Sequence, residues 1–340
     1  MKTYNLCILG FGYIGRALAA LLLEKRSELR EKYQIEWRIT GVATRRMGWV
    51  ANAEGLDAEA LLRGESAEKD RLSDSNVRAW LEAARADVLF ELSSLNAQTG
   101  QPAIDHLRAA IERGAYAITA NKGPVVHGYA ELQALAEQHH TRFMHDGAVM
   151  AGAPLFALFR ETLPAANLLR FRGLLNSTSN VILTEMEQGK TFAEAVQVAQ
   201  NLGIAETDPS ADVDGWDATV KICAISTVLM GVALKPEQVV RESIRGLSVE
   251  QLQAANAQGK TYRTVGRLER VGDGVQASVR PELLDAHDSF ATASPASLIS
   301  HFELDVIPGL TMIMHAPYDS DMPRTVAYDV LADWLRALPK

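Results

Sequence analysis

Residues Tyr4–Leu23 read YNLCILGFGYIGRALAALLL. The order of a short apolar run, a glycine cluster and a second apolar run decides how the first half of the chain folds. Tyr4–Leu9 has the length and apolarity of a buried strand, and Ala17–Leu23 resumes the apolar pattern at helical length. Gly10, Gly12 and Gly15 stand between them in G-x-G-x-x-G spacing, with Tyr13 and Ile14 before the third glycine. In such a strand, turn and helix the first glycine permits the tight turn and the second lets a pyrophosphate approach the backbone. The third lets helix and strand pack closely, and the amides at the helix start face the anion. The stretch therefore predicts a dinucleotide site with Gly10, Gly12, Tyr13, Ile14 and Gly15 at the cofactor; a tight structural turn is the plainer alternative.

Working outward, Trp37–Ala43 (WRITGVA) predicts a second strand, followed by Thr44-Arg45-Arg46. An NAD-specific site carries a carboxylate at this strand end for the ribose hydroxyls. Two arginines stand there instead and suit a 2′-phosphate, so NADP is expected, with NAD as the alternative. Asp87–Leu92 (DVLFEL) reads as the next buried strand, with Ser93, Ser94 and Asn96 at its carboxyl end, the edge where open α/β sheets bind ligands. Pro102–Arg113 is an amphipathic helix presenting Ile104, Leu107, Ala110 and Ile111. Ala115–Thr119 then makes a strand ending in Ala120-Asn121-Lys122-Gly123, which puts Lys122 near the nicotinamide of a cofactor lying in that crevice.

The pattern changes after Phe143. Met144–Leu158 (MHDGAVMAGAPLFAL) is rich in small residues, and Arg170–Leu175 begins a new strand. The fold class expected is α/β: an N-terminal Rossmann dinucleotide-binding domain over residues 1–145, then an α+β substrate and dimerisation domain over residues 146–322. The second domain mixes strands (LLRFRGLL, YRTVGRLERV, GVQASVRPELL) with long helices. Val326–Leu338, with an apolar stripe of Val330, Leu331, Trp334 and Leu335, predicts a helix within residues 323–340 that packs back on the first domain.

A chain of 340 residues suits two domains, each with its own core. With 34 basic and 42 acidic residues the net charge is −8, which argues against nucleic acid or an anionic membrane surface as partner and favours a small neutral or zwitterionic molecule. Cys7 and Cys223 both lie in apolar runs and offer no disulfide framework, as expected of a reducing cytoplasm. The N-terminus lacks the pattern of a secretory leader, and no stretch reaches the about 18 uninterrupted apolar residues of a membrane span. No cluster of His and Cys has metal-ligand spacing.

Ala205–Lys221 (AETDPSADVDGWDATVK) crowds Glu206, Asp208, Asp212, Asp214 and Asp217 before one lysine. Pro209 and Gly215 interrupt regular structure and the apolar run from Val220 resumes it, so Lys221 is expected early in a buried helix. Asp217 and Lys221, four apart, share one helix face, where the carboxylate can hold the ammonium. An acidic loop that merely favours a helix dipole is the alternative reading.

Taken together, GFGYIG at Gly10–Gly15, TANKGP at Thr119–Pro124, GLLNSTSNVILTEME at Gly173–Glu187 and AQNLGIAETDPSADVDGWDATVK at Ala199–Lys221 resemble homoserine dehydrogenase, in its short form without an ACT regulatory domain. The resemblance runs from about residue 4 to about residue 285 and implies NAD(P)-dependent interconversion of L-aspartate 4-semialdehyde and L-homoserine. It also implies a place in threonine and methionine biosynthesis and a homodimer formed through the second domain's sheet. Motif by motif, it places the catalytic lysines on Lys122 and Lys221, and the substrate carboxylates on Glu206, Asp212 and Asp217, with Thr178 in the substrate loop. Hydride delivery to an aldehyde leaves charge on the carbonyl oxygen, which an ammonium can stabilise or protonate. Desolvation or a second lysine has to lower that ammonium's pKa against the carboxylates that raise it. Asp217 then orients Lys221, while Glu206 and Asp212 face the amino acid. The resemblance further implies a monovalent cation, Na or K, bound by Asp146 and the main-chain carbonyls of Val149, Ala151 and Ala153, with aspartate where glutamate is usual.

Three departures bear on substrate. Ser177 replaces a glycine in the substrate loop Asn176-Ser177-Thr178-Ser179-Asn180 and brings a hydroxymethyl group to a place of close backbone approach. The glycine-rich turn near the C-terminus is replaced by the glycine-free His315–Arg324, and Ser294–His301 also differs. These changes spare the hydride-transfer residues and alter the walls around them. A sister dehydrogenase acting on another small aldehyde or keto acid is therefore one alternative, and a non-catalytic nucleotide-binding paralogue another. The retained Lys122, Lys221 and Asp217 speak against the latter.

Overall fold

The computed structural model describes residues 1–65, 68–73, 76–316 and 321–339. The chain divides into two compact units, Met1–Pro154 with Asp321–Lys340, and Leu155–Ser320. Within the glycine-free stretch 315–324, residues 317–320 lie outside the described residues.

The first unit is built on a six-stranded sheet of β1 (Lys2–Leu9), β2 (Ile35–Thr44), β3 (Gly48–Ala51), β4 (Val88–Glu91), β5 (Tyr116–Thr119) and β6 (Phe143–Met144). Their order is β3-β2-β1-β4-β5-β6. All neighbours are parallel except β2 and β3, which form an antiparallel hairpin. Along β1, Tyr4, Leu6 and Ile8 enter one core while Cys7 and Leu9 enter another; along β4, Val88 and Phe90 are separated from Leu89 in the same way. A strand apolar on both faces belongs in a parallel sheet covered on both sides. One cover includes the helix Tyr13–Glu24 and the C-terminal helix Met322–Ala337. On the latter, Trp334 is fully buried and meets Tyr4 and Phe90 edge-on at 5.6 and 6.1 Å. The opposite cover includes Trp80, Leu107 and Ile111, the last two on the helix Ala103–Glu112.

Three details differ from the sequence reading. The first helix starts at Tyr13 rather than Ala17, so Gly15 lies within its first turn. The short strand β3 was not anticipated, because four residues after a three-residue turn carry too little periodicity. The first unit also runs past residue 145 to Pro154, where main-chain amides of Asp146 and Gly152 bond to carboxylates of the C-terminal helix.

The second unit has its own six-stranded sheet: β7 (Leu168–Leu174), β8 (Val240–Arg241), β9 (Lys260–Val271), β10 (Gly274–Asp285), β11 (Leu298–Leu304) and β12 (Leu310–Met314). The order is β12-β11-β7-β9-β10-β8. It is antiparallel throughout except for the two-residue pairing of β8 with β10. The helices Ser177–Glu187, Trp216–Ile225 and Val249–Asn256 pack on β9. The apolar faces of the first and third of these join Val181, Ile182, Met186 and Leu252 into one core. The β11–β12 hairpin lies where no strand is expected from the sequence, although Leu298, Ser300, Phe302 and Leu304 alternate with less buried His301 and Glu303.

Candidate active site

In the first unit the three glycines of the fingerprint have three separable reasons. Gly10 holds φ +100°, and a Cβ there would stand 2.3 Å from the main-chain oxygen of Leu92. A Cβ on Gly15 would stand 2.3 Å from the Gly10 carbonyl oxygen, which is the close packing of helix on strand. A Cβ on Gly12 would meet no atom within 4 Å. Gly12 instead opens onto a cavity of about 1120 Å³. Space is kept there for something other than the protein's own chain, which fits a pyrophosphate laid against bare backbone at a helix start.

That cavity gathers Gly10, Gly12, Arg45, Arg46, Ser93 and Ser94 from the residues assigned by sequence. Among the described residues Tyr13, Ile14, Gly15 and Lys122 are not part of its lining. Thr44 Oγ1 accepts the Met47 N–H at 2.9 Å and so closes the turn that leaves Arg45 and Arg46 exposed. Two further guanidiniums, Arg16 and Arg71, reach the wall. Arg71 gets there through an isolated antiparallel bridge to Val50, with its side chain lying over Gly48. A carboxylate also lines the cavity: Glu65, paired with Arg63 at 2.5 Å. It arrives from beyond the helix Ala58–Arg63 rather than from the end of β2.

At the carboxyl ends of β4 and β5 a buried acid organises two loops. Glu91 Oε1 accepts the Ser93 N–H at 3.0 Å and the Ser93 hydroxyl. Its Oε2 accepts the Thr119 hydroxyl at 2.8 Å. Burial pushes the Glu91 pKa up, against the pull of these hydrogen bonds. Asn121 caps the helix Lys122–His127, its Oδ1 accepting the Gly123 N–H at 3.0 Å, so Lys122 occupies the first helical position.

A second buried group surrounds Asp146. Its N–H donates to Asp333 Oδ2 at 2.7 Å, and Gly152 N–H donates to Asp329 Oδ2 at 2.8 Å. Arg336 Nη2 lies 2.7 Å from Asp333 Oδ1 and 3.4 Å from Asp146 Oδ2. Burial raises the Asp329 pKa to about 6 and drives that of Asp333 well above the carboxylate range. Val149, Ala151 and Ala153 are buried on the same segment. Among the described residues no set of three or more His, Cys, Asp or Glu side chains has metal-holding geometry.

In the second unit Gly215, at φ +75°, ends the acidic loop, and the helix Trp216–Ile225 carries Asp217 and Lys221 one turn apart. Lys221 Nζ lies 2.7 Å from Asp217 Oδ2 and donates to the main-chain carbonyl of Leu175 at 2.5 Å. Asn176, the N-cap of the helix Ser177–Glu187, donates from Nδ2 to Asp212 Oδ1 at 2.6 Å and to Asp217 Oδ2 at 3.1 Å. Burial, then the Asp217 charge, raises the Asp212 pKa. Thr178 is buried, and its hydroxyl donates to the Ile204 carbonyl at 3.0 Å. Of the five acids in the loop, Asp212 and Asp217 thus join Lys221 and Asn176. Asp214 turns to Arg245 and Ser243, Asp208 caps Ser210, and Glu206 is exposed. Sequence reasoning did not assign Asn176; its N-cap position ahead of an apolar helical run was the available signal.

The chemistry assembled is an anion-binding glycine turn beside guanidiniums in one unit, and an oriented ammonium among carboxylates in the other. A family model described as homoserine dehydrogenase matches residues 154–335, and one described as its NAD binding domain matches residues 10–146. An NAD(+)-dependent homoserine dehydrogenase of Pseudomonas canavaninivorans is 35% identical over 319 residues, covering 92% of this chain and 91% of that protein. A homoserine dehydrogenase of Methanocaldococcus jannaschii is 33% identical, with 78% and 80% covered. Among solved structures, a putative homoserine dehydrogenase from Archaeoglobus fulgidus superposes with a TM-score of 0.84 at 26% identity, covering 99% of each chain. A hyperthermophilic archaeal homoserine dehydrogenase mutant in complex with NADPH gives 0.81 at 25%, also covering 99% of each.

Proposed function

Because the chain belongs to the homoserine dehydrogenase family, and is an NAD(P)-dependent oxidoreductase on that ground, we propose that it interconverts L-homoserine and L-aspartate 4-semialdehyde with NADP(H). The observation that carries the reading is the pairing of Lys221 with Asp217 at 2.7 Å beside Asp212 and Asn176.

The bound nicotinamide supplies the hydride in reduction and accepts it in oxidation. Gly10, Gly12 and Gly15 form the pyrophosphate turn, with Tyr13, Ile14, Ser93 and Ser94 as its neighbours, and Arg45 and Arg46 take the 2′-phosphate. Lys221, oriented by Asp217, stabilises the developing alkoxide at the substrate's terminal oxygen and transfers the proton there. Lys122, at the carboxyl end of β5 in the nucleotide-binding unit, is the second catalytic lysine of this reading. Asp212 and Glu206 hold the substrate's α-ammonium, and Thr178 shapes the loop beside them. NAD(H) is the second reading, favoured by the similarity to the NAD(+)-dependent homoserine dehydrogenase of Pseudomonas canavaninivorans and by the presence of Glu65 on the cavity wall.

A monovalent cation held by Asp146 and the carbonyls of Val149, Ala151 and Ala153 belongs to the same proposal. Asp146 and Asp329 are buried beside these carbonyls, and Arg336 pairs with Asp146 and Asp333, so the segment offers a cation oxygen ligands next to a buried carboxylate. So does a homodimer through the second unit's sheet, which light scattering on the eluted protein tests. A cytoplasmic setting accords with two buried, unpaired cysteines.

The deciding assay follows nicotinamide absorbance with L-homoserine and each oxidised cofactor, then with aspartate semialdehyde and each reduced one. Turnover on the order of 1 to 10³ per second is expected. Tight nucleotide binding without turnover on either substrate would remove the proposal in favour of another small hydroxy acid or a non-catalytic role.

A further inference from the structure

We infer that Glu91, which lies outside the glycine fingerprint and both lysine motifs, is a positioning residue that sets the nucleotide-facing loop at Ser93 and the start of the helix carrying Lys122. The inference rests on the roles proposed above for those two residues.

Glu91 is the last residue of β4, in register with Leu9 of β1 and Thr119 of β5, and it is 0% exposed. A carboxylate is a costly occupant of that place. It is taken out of water, and it stands at the sheet edge where an anionic pyrophosphate is expected. An apolar side chain would fill the same volume without either cost, so what Glu91 contributes is what its two oxygens accept.

Both oxygens are used, in two directions. Oε1 takes the N–H and the hydroxyl of Ser93, fixing the loop that follows β4. Oε2 takes the hydroxyl of Thr119, whose Oγ1 in turn accepts the Asn121 N–H at 2.9 Å. Asn121 then caps Gly123 through Oδ1 and reaches back from Nδ2 to the Ser93 carbonyl at 3.4 Å. The loops after β4 and β5 are thereby closed into one hydrogen-bonded ring. Lys122 sits between Asn121 and Gly123, whose amides that ring holds. The Ser93 arm bears on nucleotide affinity, and the Thr119–Asn121 arm on the placement of Lys122 and so on turnover.

The two arms make the test specific. Glu91→Leu keeps volume and removes both acceptors, Thr119→Val cuts only the second arm, and Glu91→Gln is the conservative replacement. The Gln carbonyl can take the Ser93 bonds while its NH₂ donates to Thr119 Oγ1, whose proton then goes to the main-chain carbonyl of residue 91, 3.0 Å away. NADPH and NADH affinity is read by fluorescence titration, kcat by absorbance, and folding by a melting curve. Glu91→Leu should weaken nucleotide binding and lower kcat, each by about tenfold or more, the worth of one hydrogen bond to a charged group. Thr119→Val should lower kcat similarly with affinity held within about threefold, and Glu91→Gln should recover most of both. A folded Glu91→Leu protein with both constants close to those of the parent overturns the inference. So does a Thr119→Val protein that loses affinity as much as turnover, or a Glu91→Gln protein as impaired as Glu91→Leu. If Glu91→Leu does not fold, the other two variants decide. If the parent binds nucleotide but does not turn over homoserine, the proposed function fails on its own, and the affinity of Glu91→Leu against that of Glu91→Gln still decides the role of Glu91.

Discussion

Lys221 Nζ lies 2.7 Å from Asp217 Oδ2, and the same Oδ2 accepts Asn176 Nδ2 at 3.1 Å. One carboxylate oxygen thus fixes the ammonium from a neighbouring turn and ties it to the start of another helix. Lys221→Ala should lower kcat by about 10² to 10⁴, the range for loss of a positioned proton donor. Asp217→Asn, which keeps the shape and loses the charge, should retain more activity than Lys221→Ala. Steady-state kinetics on both variants checks this, and a Lys221→Ala protein turning over like the parent would sink the assignment.

Cofactor choice turns on the exposed turn after β2. Arg45→Ala should weaken NADPH more than NADH, by roughly tenfold or more if its guanidinium meets the 2′-phosphate as a charge-assisted pair. The comparison is of dissociation constants for the two reduced nucleotides. Equal loss for both would shift the cofactor reading to NAD(H).

The fingerprint glycines should separate folding from binding. Gly12→Ala places a methyl where no protein atom lies within 4 Å, so its melting temperature should match the parent's while nucleotide affinity falls. Gly10→Ala forces a side chain into φ +100° and against the Leu92 carbonyl, costing about 1 to 3 kcal/mol for the backbone alone. Its unfolding midpoint should drop. If both variants melt alike and bind alike, the division of labour among these glycines is wrong.

Asp212 gives the acid limb of the pH profile. Its pKa is raised by burial and by the neighbouring Asp217 charge. As pH falls through that raised value Asp212 becomes neutral and no longer attracts the substrate's ammonium. The kcat/KM for homoserine should therefore fall toward acid, beginning above the about 3.9 of an ordinary aspartate. Asp212→Asn should lower kcat/KM at neutral pH and flatten that limb. An unchanged limb in the variant would assign it to another group.

The legible parts of the molecule are those whose physical demand falls on neighbouring residues. Strand, glycine turn and helix over Tyr4–Leu23 could be read directly, because a positive φ and a bare Cα leave no substitute for glycine. The doubly apolar strands placed themselves in a covered parallel sheet. Asp217 and Lys221 were legible as a pair because helical spacing alone brings them onto one face. The β11–β12 hairpin was not legible, because β11 is held in the sheet by pairing with β7, which lies far earlier in the chain.

The sequence by itself determined the nucleotide turn, the exposed arginine pair and the Asp217–Lys221 couple, each a contiguous or one-turn relationship written into backbone geometry. Only the tertiary structure decided what each acid bonds to. It joined Asp212 to Asn176 across 36 positions, Glu91 to Thr119 across 28, and Asp333 to the amide of Asp146 across 187. It left Glu206 exposed and turned Asp208 and Asp214 to other tasks. A carboxylate's role depends on which donors and which solvent surround it, and those are set by strand order and helix packing between segments far apart in the chain.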